Sequence, residues 1–393
     1  MRGKMSHANY CHNYQASECR EENKGETVSA DSNLSNDVLE KILVYLPIGS
    51  IFSSSSVCKR WHGIVSSERF LQYSDAQSRK PWYFMFTSKD EQVGYAYDPS
   101  LGNWYGIELP FILTPNWFIA SSHGLVCFRD NNSGSDFHVC NPIKKQCKKI
   151  VEPPGLGISE YGALAISVSS ESHGYTISIV KSKKVLENPS QWDISIHIYD
   201  SKTVMWVTSL SEVLIGWRGG NESVICDSVL YILIYSTDIG ARGNRHGLIT
   251  YNLSSRSSNG LLIDTLIPEP ISLTCGRLTN LKEKLVMVGG IGKPDKPGII
   301  TGVRIWVLNG KDWQVAGRMS HDFFQGFGEL DDVFASSGMV DHIYIQSYGK
   351  PLLVVFDMNQ KKWKRVANCP LKKRYQLQLF SGFCLEPKLA IAP

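Results

Sequence analysis

The chain has 393 residues, with 41 Lys and Arg against 37 Asp and Glu for a net charge of +4. That balance gives neither a polycationic field for nucleic acid nor an acidic tail. With 11% aromatic residues and 33 glycines, the composition fits a β-rich globular chain with many tight turns, and excludes a helical bundle, a disordered chain or a membrane protein.

The first thirty residues are polar, balance four basic residues against four Glu and lack apolar periodicity, so they read as a disordered leader. They hold no apolar run of seven or more, and no secretory signal is expected. No apolar stretch approaches the ~20 residues that span a bilayer. The expected location is the nucleus and/or cytoplasm. The ten cysteines form no C-x-x-C pair and match no metal module, so reduced, unligated thiols are expected, with no metal and no cofactor.

Helical patterning begins at Ser35. Val38, Leu39, Ile42, Leu43 and Leu46 recur at helical spacing, Ser35 or Asn36 can cap, Asp37 suits the positive end of the dipole, and Pro47 stops the helix. A second helical pattern runs from about Ser56 through Val57, Trp61, Ile64 and Val65. The helical unit is placed at 31–72, with a linker at 73–80.

After Lys80 the chain becomes short β-branched and aromatic runs between Gly, Asn, Asp and Pro turns. A strand ending in Asp is followed six residues later by Trp at Asp98/Trp104, Asp200/Trp206 and Asp357/Trp363. Asn141 with Cys147 keeps the spacing, Asn252 is a degenerate copy, and Asn309 with Trp313 is shortened. These six markers recur about every fifty residues, the period of a propeller blade. The Asp or Asn closes a strand by bonding the turn backbone. The Trp opens the outer strand and packs between blades.

Blade two reads as strands at 115–120, 123–128, 136–140 and 147–150. The first unit supplies three strands, at 82–87, 93–98 and 103–107. Its missing inner strand is assigned to 377–385, so that the C-terminus closes a ring over 81–393. The fold expected is therefore mainly β, a six-bladed propeller preceded by a small all-α unit. Antiparallel blades put the short connections on one face and the long ones, near 209–223, 236–246, 289–301 and 317–330, on the other. The long ones carry Trp217, Arg218, Arg242, Arg245, Lys293, Lys296, His321, Phe323, Phe324 and Phe327. Trp217, Arg218, Arg242, Arg245, Phe323 and Phe324 are the candidates for binding a target there.

Two stretches together, Leu34-Ser-Asn-Asp-Val-Leu-Glu-Lys-Ile-Leu-Val-Tyr-Leu-Pro47 and Val57-Cys-Lys-Arg-Trp61, resemble an F-box. With the blades, including Gly289-Gly290 after an apolar strand, residues 34–393 resemble a plant F-box/kelch-repeat protein, and the propeller is then of kelch type. Ser35 stands where the family commonly has Pro, and Ser53 to Ser56 interrupt a stretch usually richer in Leu, which weakens the expected middle helix.

The resemblance implies the substrate-recognition subunit of an SCF (Skp–cullin–F-box) E3 ubiquitin ligase. Its partners would be a Skp-type adaptor, through it cullin and RING subunits, and an unknown target protein, with no membrane and no direct nucleic acid. Carried over by residue, Leu34, Val38, Leu39, Ile42, Leu46, Pro47, Val57 and Trp61 form or support the adaptor-binding surface. No catalytic residue is expected; Glu329, Asp331 and Asp332 read as a solvated loop. The alternatives are a propeller enzyme or carbohydrate-binding protein, and a kelch scaffold without ubiquitin transfer.

Overall fold

The computed structural model describes residues 34–393 except 88–92, 109–117, 130–135, 154–158, 170–173, 189, 239–244, 257–259, 271–272, 293–298, 326, 328–333, 368 and 375–377. The leader, Arg242, Lys293, Lys296, Glu329, Asp331 and Asp332 lie outside the described residues.

Four short helices come first: α1 (Asn36–Val44), α2 (Ile48–Ser55), α3 (Lys59–Val65) and α4 (Glu68–Ala76). Ser35 caps α1 by accepting from the Val38 amide, and Ser67 caps α4 by accepting from Phe70. Cys58 does the same for α3 through Sγ and the Trp61 amide. Arg60 reaches back to Asn36 Oδ1 (2.8 Å) and the Leu34 carbonyl, tying α3 to the start of α1.

The second helical pattern starts at Lys59 rather than Ser56, and a separate helix, α2, occupies the serine run. Each of Ser53, Ser54, Ser55 and Ser56 turns its hydroxyl back onto a carbonyl of the preceding turn, at 3.1, 2.7, 2.6 and 2.7 Å. The hydroxyls are thereby satisfied without opening the helix. Burial of Ile48 and Ile51 adds about 1.5–3 kcal/mol for each side chain. The boundary at 72 falls inside α4, so the helical unit runs to Ala76.

Blade one contains β1 (Trp82–Thr87), β2 (Val93–Asp98) and β3 (Asn103–Glu108). Blade two is β4 (Ile119–Ser122), β5 (Leu125–Arg129), β6 (Phe137–Asn141) and β7 (Gln146–Ile150). Blade three is β8 (Tyr161–Val168), β9 (Tyr175–Lys184), β10 (Gln191–Asp200) and β11 (Met205–Ile215). Blade four is β12 (Trp217–Cys226), β13 (Val229–Ser236), β14 (His246–Asn252) and β15 (Ile267–Pro268). Blade five is β16 (Leu273–Leu281), β17 (Lys284–Gly292), β18 (Ile300–Asn309) and β19 (Asp312–Arg318). A short helix, α5 (His321–Phe324), leads to blade six: β20 (Phe334–Met339), β21 (His342–Ser347), β22 (Leu353–Asp357) and β23 (Lys362–Val366). The last strand, β24 (Phe380–Leu385), pairs antiparallel with β1 and completes blade one in the order β24-β1-β2-β3. The fold is a six-bladed propeller of four-stranded antiparallel sheets.

The repeat markers have the physical roles that their chemistry suggests. Side-chain oxygens of Asp98, Asn141, Asp200, Asn252 and Asp357 accept amides two or three residues on, at 2.8–3.1 Å in each turn. The indole N–H of Trp104 donates to the Ala367 carbonyl (3.0 Å), Trp206 to Val151 (2.8 Å) and Trp313 to Pro268 (2.9 Å). Each bond stitches an outer strand to the end of the preceding blade. Blade two replaces the cross-strand pair Tyr199↔Trp206 by Cys140↔Cys147. The two cysteines face each other directly and form a disulfide, which corrects the expectation of free thiols for this pair.

The closing seam is an apolar cluster that also buries two hydrogen-bonded tyrosines. Tyr83 donates to Gln346 Oε1 (2.7 Å), and Tyr344 to the Pro81 carbonyl (2.7 Å). All six inner strands line a central channel of about 240 Å³, in which Arg277 lies 3.7 Å from Glu222.

The helical unit is packed onto the ring. Leu39, Leu43, Ile48, Ile51 and Phe70 share one apolar core with Trp82, Phe84, Phe128, Leu385 and Leu389. The segment expected to be a linker is a joint. Asp75 accepts from the Leu389 and Ala390 amides, and Lys388 Nζ donates to the Asp75 carbonyl. Arg79 Nη2 donates to the Val44 carbonyl (2.8 Å), near the negative end of α1. Because Trp82 opposes Leu385, the helices sit on the rim where the inner strands end. The inter-blade connections lie on the opposite rim.

Candidate functional site

Two surfaces stand out, one on the helices and one on the far rim. On the helices, α1 has apolar residues on two faces. Leu39 (1% exposed), Leu43 and Val44 point into the shared core. Val38, Ile42 (49%) and Tyr45 (77%) point outward, with Leu34 before them and the exposed Val57 from the α2–α3 corner. Tyr45 extends the row at i+3 from Ile42, a spacing that could have identified it from the sequence.

Of the eight residues carried over for the adaptor, Leu34, Val38, Ile42 and Val57 are exposed. Leu46, Pro47 and Trp61 are half-buried, and Leu46 and Trp61 pack against the core. Leu39 belongs to the core and offers no contact surface, because α1 turns it onto the ring.

Salt bridges hold α1 in place. Arg69 of α4 bonds Asp37 Oδ1 (2.8 Å) and Glu40 Oε2 (2.9 Å), and the hydrogen bonds to these carboxylates raise its pKa. Glu40 is buried beside the core row while Asp37 is exposed, and neither covers Val38 or Ile42.

On the far rim, the span 209–223 is not a loop. It is formed by β11, a one-residue corner at Gly216 with φ +75°, and β12. β11 is an outer strand, so its solvent face needs no apolar residues and reads as loop sequence. Likewise β13 and β14 reach to Ser236 and His246, β17 and β18 reach to Gly292 and Ile300, and α5 fills part of 317–330.

Among the target-binding candidates, Phe324 is buried with Phe327 in the core of blades five and six and cannot meet a partner. Phe323 is half-buried, 6.5 Å from Trp363. Trp217 packs against the core of blades three and four. Arg245 is exposed, and its amide donates to Glu269 Oε1 (3.0 Å). Arg218 is half-buried against Tyr161 and Tyr235, neither of which was singled out from sequence.

His197 lies within blade three between the hydroxyls of Ser195 (3.0 Å) and Thr208 (2.9 Å). Burial, with Lys181 nearby, pushes its pKa down to about 4. It is a neutral, satisfied strand residue. Among the described residues no group of three His, Cys, Asp or Glu could hold a metal ion, and no helix is long and apolar enough to cross a membrane.

Comparison with known proteins agrees with this architecture. Residues 32–73 match the F-box domain family, and residues 104–378 match the family described as F-box protein At3g26010-like, beta-propeller. The chain is 53% identical to the F-box/kelch-repeat protein At3g61590 of Arabidopsis thaliana over 100% of both chains. It is 24% identical to F-box only protein 6 of the same plant, over 89% of this chain and 73% of that one. It is 22% identical to Protein UNUSUAL FLORAL ORGANS, also of Arabidopsis thaliana, over 86% and 79%. Alike from end to end to one such protein and matched across most of its ring, this chain belongs to the F-box/kelch-repeat proteins.

Proposed function

We propose that the chain is the substrate-recognition subunit of an SCF-type E3 ubiquitin ligase. Its helical unit docks a Skp-type adaptor, which brings cullin and RING subunits, and its propeller holds a target protein on the opposite rim. The observation that carries this reading is the second apolar row of α1, Val38 and Ile42 with Tyr45 and Val57, left outward by a helix whose other row already fills a core. A helix apolar on two faces lies between two partners. The chain's own groups take no part in bond making; ubiquitin transfer gains from proximity. The expected location remains the nucleus and/or cytoplasm. The finer placement we favour within the family is the HAWAIIAN SKIRT type, for which the likeness over the full length of a plant F-box/kelch-repeat protein is the support.

The test is co-purification of the full chain with a Skp-type adaptor. Val38→Asp with Ile42→Asp should weaken capture by more than about a hundredfold, close to 3 kcal/mol, with an unchanged melting temperature. Undiminished capture by the double variant would remove the assignment.

A further inference from the structure

On the rim away from the helices, blades three and four meet at Arg218. Its guanidinium carbon lies 3.8 Å from the ring centroid of Tyr161, the first residue of β8, and 4.7 Å from that of Tyr235, its cross-strand neighbour on β13. The side chain is therefore held between a ring of the preceding blade and a ring of its own.

The rings are themselves supported. Trp192 packs on Tyr161 at 5.6 Å. His246 meets Tyr235 edge-on at 4.7 Å and is fixed by Glu269 at 2.7 Å. A Cβ at Gly220 would come within 2.4 Å of Tyr235 Cε2, so this glycine is what lets the tyrosine lie against its strand.

Arg129, Lys181 and Arg277 elsewhere in the ring have acids of their own. Arg129 and Lys181 both bond Glu152 Oε1, each at 3.2 Å, and Arg277 faces Glu222. Arg218 bonds only the Gly219 carbonyl, at 3.1 Å, and among the described residues no carboxylate pairs with it. A guanidinium has five donors in one plane. Here the guanidinium itself is ordered by aromatic packing before any partner arrives, which lowers the entropy lost on binding.

We infer that Arg218 is the anchor by which the propeller recognises a side-chain carboxylate, so that the target is read through an Asp- or Glu-bearing segment. A planar fork matches a carboxylate in two parallel bonds. The inference rests on the reading of the propeller as the target-binding part.

The experiment titrates the full chain, in complex with a Skp-type adaptor, with a set of labelled peptides of about twelve residues. One group carries Asp and Glu, a matched group Asn and Gln, and a third phosphoserine. Acidic peptides should bind at least about tenfold more tightly than their Asn and Gln counterparts. Arg218→Ala should lose about tenfold or more, Arg218→Lys about fivefold because charge without the planar fork is insufficient, and Tyr235→Leu severalfold less than Arg218→Ala. If Arg218→Ala lowers the melting temperature, Arg218→Lys carries the test. Three results overturn the inference: no acidic peptide binds, Arg218 variants bind them as well as wild type, or phosphoserine peptides are preferred about tenfold over acidic ones. Failure of the chain to hold the adaptor counts against the ligase reading instead. The same peptide titration on the free chain still tests Arg218 on its own.

Discussion

The ring and the helical unit dispose of their apolar residues in different ways. In β1 all six residues are buried, and the ring closes on itself through β24, leaving only short outer edges. In α1 the apolar residues divide between a buried row and an exposed one. The ring buries its inner strands because each blade packs between two others, and its exposed apolar residues, such as Leu186 and Ile215, are scattered over connections and the outer strand β11. A unit of about forty residues has too little interior for all its apolar side chains. On α1 the exposed apolar residues fall in one row, whereas on the far rim a polar side chain, Arg218, is ordered by aromatic rings.

The largest effect should come from breaking ring closure. Removing residues 379–393 strips β24 and also the tail that bonds Asp75. Cooperative unfolding by urea, followed by circular dichroism, should be lost in ring and helices together. A sharp native transition in the truncated chain would show that closure is dispensable.

A smaller effect separates ring from helices by pH. The His197 value of about 4 lies below the usual 6.5, so the folded state binds fewer protons between these values than the unfolded one. Its contribution to stability is present above about pH 6.5 and is lost as pH falls through about 4. Wild type should lose about 2 kcal/mol more than His197→Gln between about pH 7 and pH 5. Parallel pH profiles of the two proteins would remove His197 as the cause.

The smallest effect concerns one inter-blade stitch. Trp206→Phe keeps most of the ring packing and removes the bond to Val151, costing about 1 kcal/mol. A neutral result would mean that the indole bond is replaced by water.

Much of this comparison was legible in the sequence. The Asp-to-Trp spacing disclosed the blades because the Asp or Asn bonds the turn in five of the six copies and Trp104, Trp206 and Trp313 bond the preceding blade. The short aromatic run from Trp82 to Thr87 and the helix-period pattern of Val38 to Leu43 disclosed the two kinds of region. What stayed hidden has physical causes. The α2 helix rests on tertiary burial of Ile48 and Ile51 and on serine hydroxyls bonding backward, neither of which local propensity reports. The strands across Gly216 looked like loop because an outer strand shows solvent a polar face. Phe324 was read as displayed because a long connection is usually exposed, whereas α5 folds it into the core. Cys140 and Cys147 become a pair only once the hairpin register is known. The Arg218 anchor depends on Tyr161, some sixty residues away in the sequence and in contact only across a blade seam.

The most direct measurement is amide hydrogen exchange on the full chain with and without a Skp-type adaptor. New protection is expected at residues 34–46 and 57–62, and none at residues 215–220 or 321–324 on the far rim. Protection confined to the propeller, or none in α1, would contradict it.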